Sequence, residues 1–281
     1  MNVLSLFDGI SCGQIALQRA GVKVDKYYAS EVCPHAIKVT QHNYPNTVQL
    51  GDVKSVKASD LPKIDLLIGG SPCQGFSFAG KVLNFEDPRS KLFFEFARLK
   101  NELNPRYFLL ENVKMGQVHQ DVISGILGVK PISIDSAFFS AQTRKRLYWT
   151  NIPIGEVHDK GIQLNSVLET TQDWKPAAVR GRYIEGKTKQ FLEVKALNTN
   201  KSNCLTTVSK DNVLTSSSSG LASQSLYRYY SPIEYERLQT IPDDYTLILS
   251  DYQRRKAIGN AWTVDVITHI FKHLQDATRP K

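Results

Sequence analysis

"NVLSLFDGISCGQIALQRAG", Asn2 to Gly21, is the stretch whose reading decides the fold. Asn2–Phe7 is a short apolar run of strand type, and Ile10 to Ala20 reads as a helix that Gly21 ends. Gly9 and Gly13 lie around the junction, where glycine lets the backbone come close to a ligand and a helix N-terminus favours electron-rich groups. The same alternation continues outward. "VDKYYASE" (Val24–Glu31) reads as a second strand, followed by a helix that begins at Pro34. "TVQLGDV" (Thr47–Val53), "IDLLIGG" (Ile64–Gly70) and "RYFLLENV" (Arg106–Val113) read as further strands. Between the last two, Asp87 is placed to cap a helix with Pro88 at its first position, and Leu92, Phe96, Leu99 and Leu103 recur at helical spacing. "ISIDSAFFS" (Ile132–Ser140) and "RLYWTNI" (Arg146–Ile152) complete the series. Strands alternating with helices predict an α/β fold with a mostly parallel sheet covered on both faces. Ligands of such a sheet sit beyond the carboxyl ends of its strands.

The character of the chain changes after Pro153. Residues from about Gly155 to Tyr227 hold short, polar, β-leaning pieces and the low-complexity run "TSSSSG" (Thr215–Gly220). This predicts a small irregular domain, residues 155–227, inserted into a first domain of residues 1–154. Regular structure returns with "SPIEYERLQ", where Ser231, Pro232 and Glu234 form a capping-box pattern. Val264, Ile267, Ile270, Phe271 and Leu274 make the apolar stripe of a closing helix, so residues 228–281 are expected to return to the first domain.

With 281 residues the chain can bury a sizeable core, as one large domain or two unequal ones. Its 41% hydrophobic and 22% charged residues exclude a disordered or fibrous class, and no apolar run nears the roughly 18 residues of a membrane span. "MNVLSLFDG" carries no cationic leader and reads directly as a strand. Four cysteines (Cys12, Cys33, Cys73, Cys204) show no CxxC spacing, which predicts a reduced, cytoplasmic setting and no metal site. The formal net charge is +8. From Trp174 to Lys210 eight basic residues face only Glu185 and Glu193, a local excess of +6 suited to a polyanion such as nucleic acid or to a solvated face.

Three motifs can carry chemistry. The first is the "FDGISCG" turn (Phe7–Gly13) with Glu31 at the end of the second strand, where an acid accepts hydrogen bonds from ribose hydroxyls. A dinucleotide and S-adenosylmethionine both fit that pattern. The second is "GGSPCQGFSFAG" (Gly69–Gly80), which sets Cys73 in a glycine-rich loop at a strand tip, with the "ENV" of Glu111–Val113 at the tip of the next strand. Adjacent strands lie about 5 Å apart, so a thiol and a carboxyl group there can converge on one small ligand. Acyl transfer would need a histidine base, and none of the six histidines falls at a strand end nearby. The pair suits a thiolate adding to an electron-poor ring while the acid handles a ring nitrogen. The third is "QTRKR" (Gln142–Arg146), in which alternation would turn Arg144 and Arg146 to one face.

Taken together and in this order, these residues resemble the DNA (cytosine-5)-methyltransferases over nearly the whole chain. "FDGI" and "GNAW" look closest to the animal de novo branch and its bacterial and phage relatives. The resemblance implies a Rossmann-like S-adenosylmethionine-dependent methyltransferase sheet with a target-recognition region. It implies that Cys73 attacks C6 of a cytosine flipped out of duplex DNA, that Glu111 binds N3 and the exocyclic amine, and that Arg144 and Arg146 orient the base. Phe7, Asp8, Gly9, Ile10 and Cys12 would hold the amino-acid and sulfonium end of S-adenosylmethionine, with S-adenosylhomocysteine as product. Glu31 would bind the ribose, Val32 would pack on the adenine, and Asp52 with Val53 would meet its edge. Asn260, Ala261 and Trp262 would close the pocket. Pro72, Gln74, Ser77, Asn112 and Gln142 are assigned to the target base and its loop, with residues Phe76–Asp87 as a lid. Residue type alone nominates Arg180, Arg182, Lys201, Thr206 and Thr207 as DNA contacts in the basic segment.

Ser11 and Cys12 stand where many bacterial members have the later glycines of FxGxGG, as in the animal branch. The setting implied is restriction–modification or phage and host DNA protection, in the cytoplasm of a bacterial or phage-infected cell, as a monomer or dimer beside a cognate restriction endonuclease. The branch that methylates tRNA shares the Pro-Cys and Glu-Asn-Val core but carries a Cys-Phe-Thr signature that this chain lacks. A nicotinamide oxidoreductase would leave Cys73, Glu111 and the paired arginines unexplained.

Overall fold

The computed structural model describes residues 1–71, 91–194 and 200–274. Seven strands form one sheet: β1 (Asn2–Leu6), β2 (Lys26–Ser30), β3 (Val48–Gln49), β4 (Leu66–Gly70), β5 (Tyr107–Val113), β6 (Ile132–Asp135) and β7 (Lys145–Thr150). Their order is β3-β2-β1-β4-β5-β7-β6. Parallel pairing joins β3 to β2, β2 to β1, β1 to β4 and β4 to β5, whereas β7 runs antiparallel to β5. The chain builds outward from β1 to one side and then to the other, so a topological switch point lies at the carboxyl end of β1, where open α/β sheets bind ligands.

Four helices accompany these strands: α1 (Cys12–Arg19), α2 (Pro34–Asn43), α3 (Lys91–Leu103) and α4 (Gln117–Leu127). Leu4, Leu6, Leu67, Phe96, Leu99, Leu110 and Trp149 belong to one apolar core. A Cβ on Gly69 would meet the Leu6 carbonyl oxygen at 3.0 Å and the Phe96 ring at 3.1 Å, so β1 and α3 close on β4 only because that position is glycine.

Several boundaries differ from the expected ones, each for a local reason. Helix α1 starts at Cys12 rather than Ile10, because Ser11 takes the left-handed conformation at φ 61°. The strand expected over Thr47–Val53 shrinks to two residues: Gly51 turns the chain at φ +73°, and the Asp52 carboxylate accepts the Lys54 N–H at 3.0 Å to open a 3-10 turn. The cap expected at Asp87 and Pro88 lies outside the described residues.

The chain divides into two compact units. The first comprises residues 1–134, 145–156 and 266–281, the second residues 135–144 and 157–265. The second holds a five-stranded antiparallel sheet: β8 (Lys175–Ile184), β9 (Lys187–Val194), β10 (Val213–Thr215), β11 (Gly220–Leu221) and β12 (Tyr227–Tyr229), in the order β11-β9-β8-β10-β12. Glu185 (φ 52°) and Gly186 (φ 76°) connect β8 to β9, and positive φ at both central residues matches the twist of a two-residue hairpin. Helices α5 (Pro232–Leu238) and α6 (Asp251–Asn260) follow, and α7 (Val264–Phe271) leads back to the first unit. The capping box of Ser231 and Glu234 is present.

Residues 228–265 group with the second unit instead of returning to the first. The cause is polar. Glu234 accepts both terminal nitrogens of Arg228 at 2.7 and 2.8 Å and the Glu169 N–H at 3.1 Å, which ties α5 to its own unit. Among the described residues, no helix is long and apolar enough to cross a membrane.

Candidate active site

The turn after β1 is an unusual piece of backbone. Phe7, Gly9 and Ser11 all have left-handed φ, at 58°, 59° and 61°. This alternation coils the chain so that the Gly9 N–H donates to Glu31 Oε2 at 2.8 Å. Glu31 Oε1 accepts the N–H groups of Val32 and Cys33, both at 2.8 Å. Three backbone donors therefore pin the Glu31 carboxylate at the end of β2. Beside it lies a cavity of about 290 Å³ lined by Phe7, Ser30, Glu31, Val32, Gly51, Asp52, Val53, Lys54 and Leu92. Five of the residues expected to hold a nucleoside cofactor thus border one space. A fixed carboxylate with spare lone pairs beside apolar walls suits a ribose and a flat heterocycle. Ile10 and Cys12 are buried under the turn, and Val32 is 67% exposed at the rim. Sequence reasoning missed Gly51 and Ser30, although Gly51 lies in the "LGDV" spelling and Ser30 closes β2 just before Glu31: the Ser30 hydroxyl donates to the Gly51 carbonyl at 2.8 Å and shapes the wall.

Asp8 faces another way. Its Oδ1 accepts the Tyr27 hydroxyl at 2.7 Å and its Oδ2 accepts the Ser11 hydroxyl. Burial pushes the Asp8 carboxyl up to about 6, aided by the neighbouring Glu31 and opposed by hydrogen bonds from Ser11, Ser5 and Tyr27.

A second group lies at the tips of β4 and β5. Gly70 pairs in register with Glu111, and Arg146 on β7 lies opposite Val113. Arg146 Nε reaches Glu111 Oε1 at 3.0 Å, and both side chains are largely shielded. Asn112 donates through Nδ2 to Ser71 Oγ at 3.1 Å and to the Ser71 carbonyl at 3.4 Å, while its Oδ1 accepts the Val113 N–H at 2.8 Å. Asn112 thereby fastens the last described residue before Pro72 to the tip of β5. Pro72, Cys73, Gln74, Ser77 and the lid expected over Phe76–Asp87 lie outside the described residues.

Other expected site residues are placed elsewhere. Arg144 does not share the surroundings of Arg146. Its guanidinium, inside the second unit, donates to the carbonyls of Leu205 at 2.9 Å, Ala261 at 3.0 Å and Gly259 at 3.5 Å. The alternation argument fails because β7 begins only at Lys145. Gln142 is also interior, donating to the Leu238 carbonyl at 2.6 Å and to Gln239 Oε1 at 2.7 Å and accepting the Leu205 N–H at 3.2 Å. Lys201 is 6% exposed, with its ammonium on the carbonyls of Ala137 at 2.7 Å and Ser140 at 3.0 Å, so the expectation of a DNA-facing lysine is corrected. Arg180 pairs with Asp211 at 2.5 Å and Arg182 pairs with Glu193 over the Phe191 ring, both with roughly half of the side chain exposed. Thr206 is bound to Asp211 at 3.0 Å, and Thr207 is exposed. At the end of α6, Asn260 is exposed, Ala261 is buried and Trp262 is half-buried.

A family model described as C-5 cytosine-specific DNA methylase matches residues 1–124 and 135–276. Type II methyltransferase M1.ScrFI of Lactococcus lactis subsp. cremoris is 29% identical over 299 residues, covering 95% of this chain and 76% of that protein. The orphan methyltransferase M.Rho11sI of Bacillus phage rho11s is 43% identical over 123 residues, covering 43% of this chain and only 24% of the phage protein. Among solved structures, the Entamoeba histolytica methyltransferase EhMeth superposes with a TM-score of 0.75 at 16% identity, covering 100% of this chain and 99% of that one. The S. pombe Dnmt2 methyltransferase gives 0.67 at 19% identity, covering 99% and 100%. Both structures share the fold. With the family model spanning nearly all of the residues that build the sheet, the turn and the β5 tip, the chain belongs to the C-5 cytosine-specific DNA methylase family.

Proposed function

We propose that this protein transfers a methyl group from S-adenosylmethionine to C5 of cytosine in duplex DNA, through a transient bond between Cys73 and C6. One observation carries the reading: Glu111 holds Arg146 at the tip of β5, and the adjacent Asn112 anchors Ser71, two residues before the thiol. A carboxyl group, a guanidinium and the root of the cysteine loop thus belong to one strand end.

The chemistry follows from those groups. C5 of cytosine is a poor nucleophile until a thiolate adds at C6 and places electron density on the ring. Glu111 would receive N3 and the exocyclic amine, and Arg146 would face the carbonyl oxygen and the charge that develops there. Bound S-adenosylmethionine supplies an electrophilic methyl group. Loss of the C5 proton and elimination of the Cys73 thiolate then restore aromaticity. A thiol cannot reach a stacked base, so the cytosine must be flipped out at a cost of a few kcal/mol. The Glu31 cavity would take the nucleoside, with Asp52, Val53 and Val32 around the base. Asn260, Ala261 and Trp262 are assigned to the same cofactor. Arg180, Arg182 and Thr207, all partly or fully exposed, are the remaining candidates for DNA contact. The type II and phage relatives support a role in DNA modification inside a bacterial or phage-infected cell, with a cognate restriction endonuclease as in a type II system or without one as for the orphan phage enzyme.

The test is a trap. Duplex DNA with 5-fluorocytosine in the target sequence, found beforehand by mapping methylated bases, is incubated with protein and S-adenosylmethionine. The expected outcome is a covalent complex that survives a denaturing gel and disappears with Cys73→Ala. Methylated DNA without any trapped complex would sink the covalent route, and labelling of tRNA alone would sink the DNA assignment.

A further inference from the structure

Ser11 is fully buried and left-handed at φ 61°, a conformation disfavoured for any residue with a Cβ and natural to glycine. Packing does not explain a serine there, but its hydroxyl does. It donates to Asp8 Oδ2 and accepts the Gln14 amide at 3.1 Å, and that amide also reaches Thr47 Oγ1 at 2.9 Å. Tyr27, from β2, donates to the other carboxylate oxygen of Asp8 at 2.7 Å. The backbone of Asp8 is held as well, its N–H donating to the Ser30 carbonyl at 3.2 Å and its carbonyl accepting the Ser11 N–H at 3.1 Å. Asp8 does not line the cavity beside Glu31. It is the keystone of the turn that delivers the Gly9 N–H to Glu31.

We propose that Ser11 and Tyr27 are positioning residues for the cofactor, acting through the Asp8 carboxylate, which clamps the Phe7–Ser11 turn in the shape that fixes Glu31. The inference rests on the S-adenosylmethionine reading given above. Each oxygen of the charged Asp8 accepts one hydroxyl, so protonation at either oxygen forces that hydroxyl to give up donating and turn to accept, which disturbs the bridge. The titratable groups acting on Asp8 are Tyr27 and Glu31, both from the β2 side, while Ser5 and Ser11 contribute neutral hydroxyls. Burial sets the Asp8 carboxyl near 6, so cofactor affinity should fall as the pH drops through that value.

The test measures S-adenosylhomocysteine binding by calorimetry without DNA, between about pH 5 and 8. Tyr27→Phe and Ser11→Gly should each bind about tenfold more weakly at neutral pH, the loss typical of a hydrogen bond to a charged group. Removing the tyrosine hydroxyl also removes a bond that holds the carboxyl down, so the midpoint of the affinity profile should move to higher pH in Tyr27→Phe. A merely structural role would not shift that midpoint. Ser11→Gly relieves the left-handed backbone while deleting the hydroxyl, so its melting temperature should not drop even as binding weakens. That variant decides the matter alone should Tyr27→Phe fail to fold. Binding by both variants with the wild-type constant and profile would overturn the proposal. No binding by the wild type would overturn the cofactor reading itself, which is a distinct result.

Discussion

The residues that lie deepest in the first unit are Leu4, Leu67, Phe96 and Trp149, whereas in the second Glu234, Glu236, Gln142 and Gln239 are buried just as completely. The apolar cluster of Ala177, Val179, Leu192, Val213 and Ala222 is small, with Tyr235, Leu238 and Ile258 buried elsewhere in the same unit. A dense set of buried hydrogen bonds runs beside that apolar burial. Glu236 accepts Arg254 Nη2 on both oxygens at 3.1 Å, the Thr246 N–H at 2.9 Å and hydroxyl at 2.5 Å, and the Asp244 N–H at 2.7 Å. Apolar burial tolerates small changes in proportion to area. A saturated buried charge network does not, because removing one member strands the others.

The largest expected effect tests that contrast directly. Glu236→Ala strands two backbone donors and leaves Arg254 only Asp244 Oδ1 at 3.3 Å and the Thr246 hydroxyl at 3.0 Å, and should cost about 3–5 kcal/mol. Hydrogen exchange should show the amides of α5 and α6 opening while those of β1 and β4 stay protected. Uniform opening of both units would break the comparison. Next comes Gly259→Ala. Its Cβ would fall 2.4 Å from the Thr206 carbonyl oxygen, an overlap with rigid backbone worth about 1–3 kcal/mol in denaturant melts.

The two units should also respond to acid with opposite sign. Burial alone would raise the Glu234 carboxyl, but Arg228 and the N–H groups of Ser231 and Glu169 hold it below the usual range. Its contribution is present above the ordinary carboxylate pKa and is lost as the pH falls. Asp8 is raised from 3.8 to about 6, so its contribution is complete below about 4 and is lost as the pH rises through 6. Acidification from neutrality should therefore destabilise the second unit, whereas Asp8, although its hydroxyl bridges rearrange, costs the first unit no stability, readable by exchange at a series of pH values. Glu234→Gln should flatten only the first of these trends. The smallest effect concerns the basic side chains of the second unit, one buried and others exposed. Lys201→Met should lower stability by about 1–3 kcal/mol yet leave the salt slope of DNA binding unchanged, whereas loss of an arginine that meets a phosphate should reduce that slope by about one.

Legibility in the sequence followed the same division. Short apolar runs and a period-3.6 stripe exposed β1, β2, β4, β5 and the closing helix, because apolar burial writes itself into the sequence. Helix α4 escaped: its polar Gln117, His119 and Gln120, with Gly125 inside, mask the buried Ile123 and Leu127. The antiparallel turn of β7 was also hidden, since an apolar run carries no direction. Glu31, Glu111 and Arg146 lie at strand ends, where their spelling placed them, and their chemical roles are those proposed above. The shared face of Arg144 with Arg146 and the DNA-facing place of Lys201 were misread, because a basic side chain looks the same in sequence whether it meets water or a cage of carbonyls. The capping box at Ser231 was legible, yet the carboxylate that completes it also grips Arg228, a second task no spacing announces.

The partition of the chain has a practical corollary for anyone building hybrids of this enzyme class. Residues 135–144, which lead from β6 to β7, belong to the second unit, and residues 145–156 of the first unit separate them from residues 157–265. Replacing residues 155–227 alone with a foreign segment would leave Gln142 and Arg144 facing strangers where the Leu205 N–H now donates to the first and the Leu205 carbonyl accepts from the second. A transplant that carries the short excursion together with the long one keeps both side chains with their native partners.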